Sequence, residues 1–161
     1  MDATACRERL GALIADATGA LDDLAASLDR EHELLLANEV SELDGAMRTR
    51  QRTVSRVMRI DEERQALCRR VGYPTDLVGL KRLFEWCDPH ASLAGAWKRC
   101  VAGAAKCREL NDRNGALVSA RLKHVQARLG TLMSGRRETV TYGRRGGYAI
   151  ATVGQVVTTK A

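Results

Sequence analysis

Three histidines and five cysteines are the side chains of this 161-residue chain that could carry out metal or catalytic chemistry. Zinc sites bring histidine, cysteine or carboxylate ligands together at short, paired spacings, and enzymes need convergent polar groups. His32, His90 and His124 lie on separate segments, and none has a second ligand pair at a matching spacing. The cysteines contain no C-x-x-C pair and are Cys6, Cys68, Cys87, Cys100 and Cys107. The sequence therefore predicts no catalytic site, no metal site and no cofactor, and each cysteine is expected to be a small buried hydrophobe.

Phosphate and nucleic-acid binding are also poorly supported by the residues. No glycine-rich phosphate-binding motif opens a predicted helix, and Gly143 to Gly147 resembles an RNA-binding RGG segment in one copy only. The net charge is +6, and residues 136–161 carry +4 of it because they contain five basic residues and one acid. The remaining +2 is spread over a body with interspersed acids and bases, which is typical of a solvated surface. Nucleic-acid binding is therefore kept as an alternative.

The elements that must position any functional side chain are predicted to be helices. Two prolines, Pro74 and Pro89, leave long uninterrupted stretches, through which leucine, alanine and valine are spread evenly. Helices are predicted over residues 4–37, 39–71, 76–87 and 90–133. In the first helix, seam positions recur at steps of three and four, which forms a heptad seam of Leu10, Ile14, Ala17, Leu21, Leu24, Leu28, Glu31 and Leu35.

The second predicted helix repeats this spacing with a poorer apolar seam. Arg50, Asp61 and Arg64 occupy positions where a dry core would carry leucine or isoleucine. These side chains either extend to water along a half-open face, which we favour, or pair with one another or with Glu31. Because the connection near Leu36 to Glu39 is short, the first two helices are expected to form an antiparallel hairpin.

Polar residues also interrupt the stripe of the last predicted helix. Asn111 and Asn114 lie at seam positions, where an amide costs stability unless it finds a partner. They are interpreted either as amides that specify the register of the helices or as a solvated face. Beyond Val118 the spacing changes to two successive steps of four, so the last turns are expected to face something different. Such incomplete seams predict a partly open groove that could receive an amphipathic helix from another chain.

Helix boundaries and the tail complete the predicted fold. Asn38 is expected to cap the start of the second helix, and Asp88 with Pro89 to begin the last one. From Gly135 onward, glycine, threonine and valine without a helical period predict a flexible basic tail. The predicted domains are a helical domain over residues 1–134 and the tail over residues 135–161. The predicted fold class is all-α, an elongated antiparallel helical hairpin or bundle of three long helices plus one short helix.

The cellular location is predicted from composition. No run approaches the roughly 20 apolar residues that cross a bilayer, and residues 1–6 carry no apolar signal core. The odd, unpaired set of cysteines is typical of a reducing compartment. The chain is therefore expected in the cytoplasm, without stable membrane insertion.

Four segments, spread over residues 31–146, resemble the FlgN-type flagellar export chaperones. They are E-H-E-L-L-L-A-N-E-V-S-E-L (Glu31 to Leu43), I-D-E-E-R-Q-A-L-C-R-R-V-G-Y (Ile60 to Tyr73), L-N-D-R-N-G-A-L-V-S-A-R-L-K-H-V (Leu110 to Val125) and T-Y-G-R-R-G (Thr141 to Gly146). Each segment alone is degenerate helical sequence. Their order and separations, and above all the block L-N-x-x-N-x-x-L, carry the resemblance.

The resemblance implies a cytosolic chaperone without enzymatic activity. It implies binding to the C-terminal helices of flagellar hook-associated (hook-filament junction) proteins, prevention of their premature assembly, and delivery to the type III export gate. It also implies that the C-terminal amphipathic helix binds the client and that Tyr142 docks on the gate. The tail beyond Gly146 is longer and more basic than the family's pattern. The implied client-binding residues are Leu117, Leu122, Val125, Leu129 and Leu132.

A third alternative is a self-associating coiled coil whose seams close on a second copy of the chain. The choice between monomer and homodimer, and the identity of the hook-associated client, are left open by the residues.

Overall fold

A computed structural model describes residues 1–135, 141–142 and 148–149, and these contain four helices and two short strands. The elements are α1 (Ala3–Ala37), α2 (Val40–Val71), α3 (Leu77–Cys87), α4 (Ala94–Gly135), β1 (Thr141–Tyr142) and β2 (Tyr148–Ala149). The two strands pair antiparallel, with Tyr142 opposite Tyr148. The all-α fold class is confirmed. The other residues of the predicted flexible tail lie outside the described part of the chain.

By its internal contacts the chain divides into two units, Met1–Leu117 and Val118–Ala161. The core of the first unit is aliphatic, as the low aromatic content of 4% predicts. The heptad seam of α1 lies in this core, where six of its eight residues are buried and Ala17 and Leu24 are half-buried. The division of the chain at residue 135 stays a prediction.

The ends of α1 and α2 are set by residues in the left-handed backbone region. Asn38 has a φ of 61°, and its backbone N–H donates to the carbonyls of Leu34 and Leu35, so it ends α1. The prediction that Asn38 caps the start of α2 is therefore wrong, because the residue before α2 is Glu39, which makes no side-chain cap. Gly72, with a φ of 84°, ends α2.

The turn between α3 and α4 is longer than the sequence suggested. Asp88 ends α3 and its carboxylate accepts from the backbone N–H groups of Ser92 and Leu93 at 2.9 and 2.7 Å. Ala91, within this turn, adopts a positive φ of 53°. Helix α4 begins at Ala94, so the prediction of a helix start at Asp88 and Pro89 is wrong by about one turn. Asp88 does act as a cap, because its carboxylate accepts from backbone N–H groups four and five residues further along the chain.

The first part of α4 packs along α1 in the same direction. A Cβ at Gly103 would lie 3.5 Å from Cβ of Leu21, and the Cys107 thiol donates to the Leu21 carbonyl at 3.2 Å. Further along both helices, Arg113 pairs with Asp29 at 2.8 Å. Because residue numbers rise together in these contacts, the first part of α4 is parallel to α1. Helix α2 runs back along α1 as the second arm of the predicted hairpin, with Arg30 paired to Glu42 and Arg56 to Asp23.

Candidate functional site

The last turns of α4, in the second unit, carry a stripe of exposed apolar side chains. Positions separated by three and four residues lie on one face of a helix, and here they are Val118, Leu122, Val125, Leu129 and Leu132. Their exposed fractions run from 49% at Val118 to 69% at Leu132, with Leu122, Val125 and Leu129 above half. We call this set the late α4 stripe. A row of large apolar side chains left this open is typical of an interaction surface.

Four of the five predicted client-binding residues belong to the late α4 stripe. The fifth, Leu117, is half-buried and belongs to the first unit, and Val118, which the predicted set omits, is exposed on the stripe. Their role in client binding stays a prediction.

The charged residues in the segment that carries the late α4 stripe are all basic. Residues 118–133 contain Arg121, Lys123 and Arg128 and no aspartate or glutamate. An apolar stripe on a cationic helix is suited to an amphipathic partner helix that carries carboxylates beside its own apolar positions.

In the first unit, five polar side chains from three helices meet in one place, which we call the polar layer. They are Glu31 and His32 on α1, Arg50 on α2, and Asn111 and Asn114 on α4. Asn114 is 4% exposed, and its Nδ2 donates to the Leu28 carbonyl at 2.8 Å. Its Oδ1 is left to accept from Nδ1 of His32, 2.9 Å away.

These contacts decide between the two interpretations of the asparagines. Asn114 is a buried amide with both ends of its side chain bonded to α1, which fixes how α4 is placed along α1. Asn111 is exposed and accepts from Nη1 of Arg50 at 3.4 Å. Asn114 therefore specifies register, and Asn111 lies on the solvated side of the layer. The role of His32 was missed, because its partner lies 82 residues further along the chain.

Glu31 is the buried charge of the polar layer. It is 4% exposed, and Nε of Arg50 lies 3.1 Å from its Oε1, an ion pair by distance that lacks hydrogen-bond alignment. Burial raises the pKa of Glu31 and the neighbouring Arg50 only partly offsets this effect. An ionised carboxylate at this position therefore costs stability.

The favoured interpretation of the α2 seam, an open hydrated face, is wrong at its arginines. Arg50 pairs with Glu31, and Nε of Arg64 donates to Asp61 at 2.7 Å while its Nη2 donates to the Thr75 carbonyl at 3.2 Å. Burial of Asp61 raises its pKa, but the hydrogen bonds from Arg64 and Gln65 outweigh burial and lower it. The alternative, in which the seam charges pair with one another and with Glu31, is the observed one.

The first unit nevertheless leaves part of its apolar seam uncovered. A groove of about 170 Å³ opens between α1, α2 and α4, and its walls include Ile14, Ala17, Leu21, Val57, Trp97 and Ala104. The predicted incomplete closure of the seams is therefore observed: the groove lies mainly along apolar side chains, and two of the charged α2 seam residues, Asp61 and Arg64, also line it.

The cysteines are free thiols without the properties of nucleophiles. All five are buried. Burial, together with the neighbouring Cys87, raises the pKa of Cys6 to about 12, and burial also raises the pKa values of the other four. Thiols with raised pKa values stay protonated at neutral pH and react slowly. Among the described residues, no group of three His, Cys, Asp or Glu side chains is arranged to hold a metal ion.

The predicted gate-docking residue, Tyr142, lies on β1 in the second unit. Gly146 and the residues after Ala149 lie outside the described part of the chain, so the predictions made for that part of the tail stay predictions. None of the helices within residues 1–135 combines the length and the apolar character needed to cross a bilayer.

A family model described as FlgN protein matches residues 1–150, which include all four helices, the polar layer, the late α4 stripe and Tyr142. No curated protein and no solved structure matches the chain.

Proposed function

Because the chain belongs to the FlgN protein family of flagellar export chaperones, we propose that it binds the C-terminal helices of flagellar hook-associated proteins. In this proposal it acts in the cytoplasm, keeps these helices from assembling prematurely and brings the client to the type III export gate. The work is binding and release, and no residue acts as a catalyst.

The observation that carries the proposal is the late α4 stripe. A client helix that covered it would bury five large apolar side chains that are now about half exposed or more. Full burial of one such side chain contributes about 1.5–3 kcal/mol, from which the loss of freedom of both partners must be subtracted. Several such contacts are enough for a specific, reversible complex of the kind that an export chaperone needs.

The charge of residues 118–133 adds a requirement for the client. Arg121 and Arg128 flank the stripe, and the segment contains no acid, so the client helix should carry aspartate or glutamate beside its apolar positions. Screening by salt should then slow association more than it speeds dissociation.

Delivery to the gate is assigned to the tail. Tyr142 is the proposed contact, supported by its place in the segment Thr141 to Gly146 that resembles the family. A Tyr142→Ala chain should keep its affinity for the client and lose its affinity for the gate. If binding to a purified gate component were unchanged, the docking contact would lie elsewhere.

The client site is tested with two variants that add the same charge to the same helix. Leu129→Asp places a carboxylate on the late α4 stripe, whereas Ala127→Asp places it two residues away, on the opposite side of α4 at about 100° of rotation per residue. Leu129→Asp should weaken binding of a hook-associated protein by about 100-fold or more, because the carboxylate must be desolvated against the client. Ala127→Asp should bind like the unchanged chain in calorimetry.

Two results would contradict the proposal. One is equal affinity of the two variants for the client, which would move the client site away from the late α4 stripe. The other is equal binding of the unchanged chain to a hook-associated protein with and without its C-terminal helices. Circular dichroism of both variants shows that helicity is retained, so that lost binding is not lost folding.

A further inference from the structure

An open cavity of about 420 Å³ lies at the C-terminal end of α3, in the first unit. Phe84 and Trp97, whose ring centroids are 5.6 Å apart, form an apolar wall together with Pro89. Glu85 and Asp88 also line the cavity, and no lysine, arginine or histidine of the described residues does. The cavity therefore combines aromatic rings with carboxylates and contains no cation of its own.

The two carboxylates are available to a cation in different ways. The side chain of Glu85 is 63% exposed, and its ion-pair partner, Nζ of Lys81, is 3.8 Å away on a side chain that is 78% exposed. This pair is weak, and the ammonium group can return to water. Asp88 is 5% exposed and accepts from the Ser92 hydroxyl and the backbone N–H of Leu93. These hydrogen bonds lower the pKa of Asp88, so its carboxylate is ionised at neutral pH.

The backbone adds to this negative potential. The last carbonyl groups of a helix have no partner in a following turn and carry partial negative charge, and the cavity lies at this end of α3. Arg7 of α1 acts on Asp88 and lowers its pKa further, but it does not line the cavity. The carboxylates, the helix end and the aromatic rings all favour a positively charged ligand.

A second depression adjoins the cavity. It has a volume of about 300 Å³, shares Phe84, Glu85 and Trp97 with the cavity, and extends to Leu77 and Leu80. Leu77 is 80% exposed. An apolar position and a cation position therefore lie side by side, with the two aromatic rings common to both. We call the cavity and this depression together the α3 site.

We infer that the α3 site binds an extended segment of a protein partner that presents an arginine and, two residues away, a leucine or a similar apolar side chain. The arginine stem packs against Phe84 and Trp97, its guanidinium lies beside Glu85, and the apolar side chain contacts Leu77. Arginine suits the site because a planar guanidinium can stack on an aromatic ring and also bond to a carboxylate.

The occupant is a protein segment because the two adjoining depressions require two side chains held at a fixed spacing. Side chains two residues apart in an extended segment point to the same side and lie about 7 Å apart, so one segment reaches both depressions. The α3 site shares no residue with the late α4 stripe and has the opposite charge preference. It therefore goes beyond the proposed function by adding a surface for a second, basic partner.

The test uses the full-length chain and short blocked peptides. The probe is Leu-Ser-Arg, and its control is Leu-Ser-citrulline, whose last side chain keeps nearly the same shape without the charge. Binding is followed through the indole N–H signal of Trp97 in nuclear magnetic resonance, with Trp86, which lines neither depression, as the internal reference. The arginine peptide should bind in the millimolar range and the citrulline peptide about tenfold more weakly, because the charge-assisted contact with Glu85 is lost.

Two exposed positions of α3 give variants with opposite expected effects. Glu85→Gln keeps the shape of the side chain and should weaken binding of the arginine peptide by about fivefold, with little effect on the citrulline peptide. Lys81→Gln removes the cation that competes for Glu85 and should strengthen binding of the arginine peptide by about twofold. Glu62→Gln, the same change at an exposed position of α2, and Leu129→Asp on the late α4 stripe should bind the peptide like the unchanged chain.

Three results would overturn the inference. The first is the absence of a Trp97 shift, or an equal shift with the arginine and citrulline peptides. The second is an unchanged affinity of the Glu85→Gln chain for the arginine peptide. The third is that propylguanidinium binds as tightly as the peptide, which would assign the site to a free small cation. Because Leu129→Asp leaves the α3 site intact, failure of this inference is distinguishable from failure of the proposed function.

Discussion

Glu31 shows how a single buried charge can hold a position in an apolar seam. It occupies a heptad position of α1 where the neighbouring seam residues, Leu28 and Leu35, are buried leucines. Its one cationic neighbour, Arg50, comes from α2 and keeps about a third of its own side chain exposed. Arg50 can therefore return to water if Glu31 is changed, whereas Glu31 has no such route. The free-energy cost of desolvation therefore comes mainly from the carboxylate of Glu31.

We expect Glu31→Gln to stabilise the fold at neutral pH. The amide has nearly the same shape but carries no charge to desolvate, and Arg50 can hydrate. The free energy of unfolding should rise by about 1 kcal/mol or less, measured by urea denaturation. A clear loss of stability would mean that the ion pair with Arg50 outweighs the burial of Glu31.

The pH dependence gives an independent check with a defined sign. Because the pKa of Glu31 is raised in the folded chain, the folded state binds more protons than the unfolded state between the ordinary value of 4.5 and the raised one. The contribution of Glu31 therefore stabilises the chain as the pH falls through this window, and Glu31→Gln should lack this gain. Asp61 and Asp88 have lowered pKa values, so their stabilisation is lost only at more acidic pH, below about 3.8.

At the residue scale, spacing located the special positions but not their partners. Glu31 and Asn114 stand out because a charge and an amide interrupt runs of apolar seam residues. Whether Arg50 reaches Glu31 or water depends on the distance between α1 and α2 and on a side-chain rotamer. Neither is encoded in a spacing along one helix, which is why the open-face interpretation failed.

At the element scale, the helices were predictable because their apolar period persists over many turns. The ends of the helices were harder to predict. Each end depends on a few residues, and some of these residue types can either start or end a helix. Asn38 is a good residue both for starting a helix and for ending one in the left-handed region, and the structure uses the second role. Asp88 caps at a distance because Ala91 turns the chain before α4 begins.

The start of α3 depends on a glycine that leaves room for the preceding turn. The N–H of Gly79 donates to Oδ1 of Asp76 at 2.8 Å, and a Cβ on Gly79 would lie 1.8 Å from the Pro74 carbonyl oxygen. We expect Gly79→Ala to lower the free energy of unfolding by about 1–3 kcal/mol, because the turn must move to admit the methyl group. Thermal unfolding followed by circular dichroism measures the change.

A second glycine provides the matched comparison. Gly19 lies within α1, where a Cβ would meet nothing within 4 Å. Gly19→Ala should therefore raise the free energy of unfolding by about 0.5–1 kcal/mol, because alanine restricts the unfolded chain and favours helix. If Gly79→Ala were stabilising as well, the contact with Pro74 would not constrain the start of α3.

At the scale of the whole molecule, the two units differ in how their apolar side chains are used. The first unit buries most of the α1 seam against α2, α3 and the first part of α4. The second unit leaves the late α4 stripe exposed. The change of spacing at Val118 predicted that the last turns of α4 face something different. The sequence could not show the open cavity of about 420 Å³ beside Phe84 and Trp97, because the turn before α4, whose path was predicted wrongly, forms part of its lining.

This difference predicts a pattern of backbone hydrogen exchange. In the free chain, amides of α1 should exchange slowly, because their helix opens only with the core, whereas amides of residues 118–133 should exchange much faster, because a helical segment of this length is marginal without tertiary packing. Adding a hook-associated protein should slow exchange in residues 118–133, and a client lacking its C-terminal helices should not. Uniform slow exchange in the free chain, or client protection confined to the groove near Ile14 and Val57, would show that the client is held by the first unit instead.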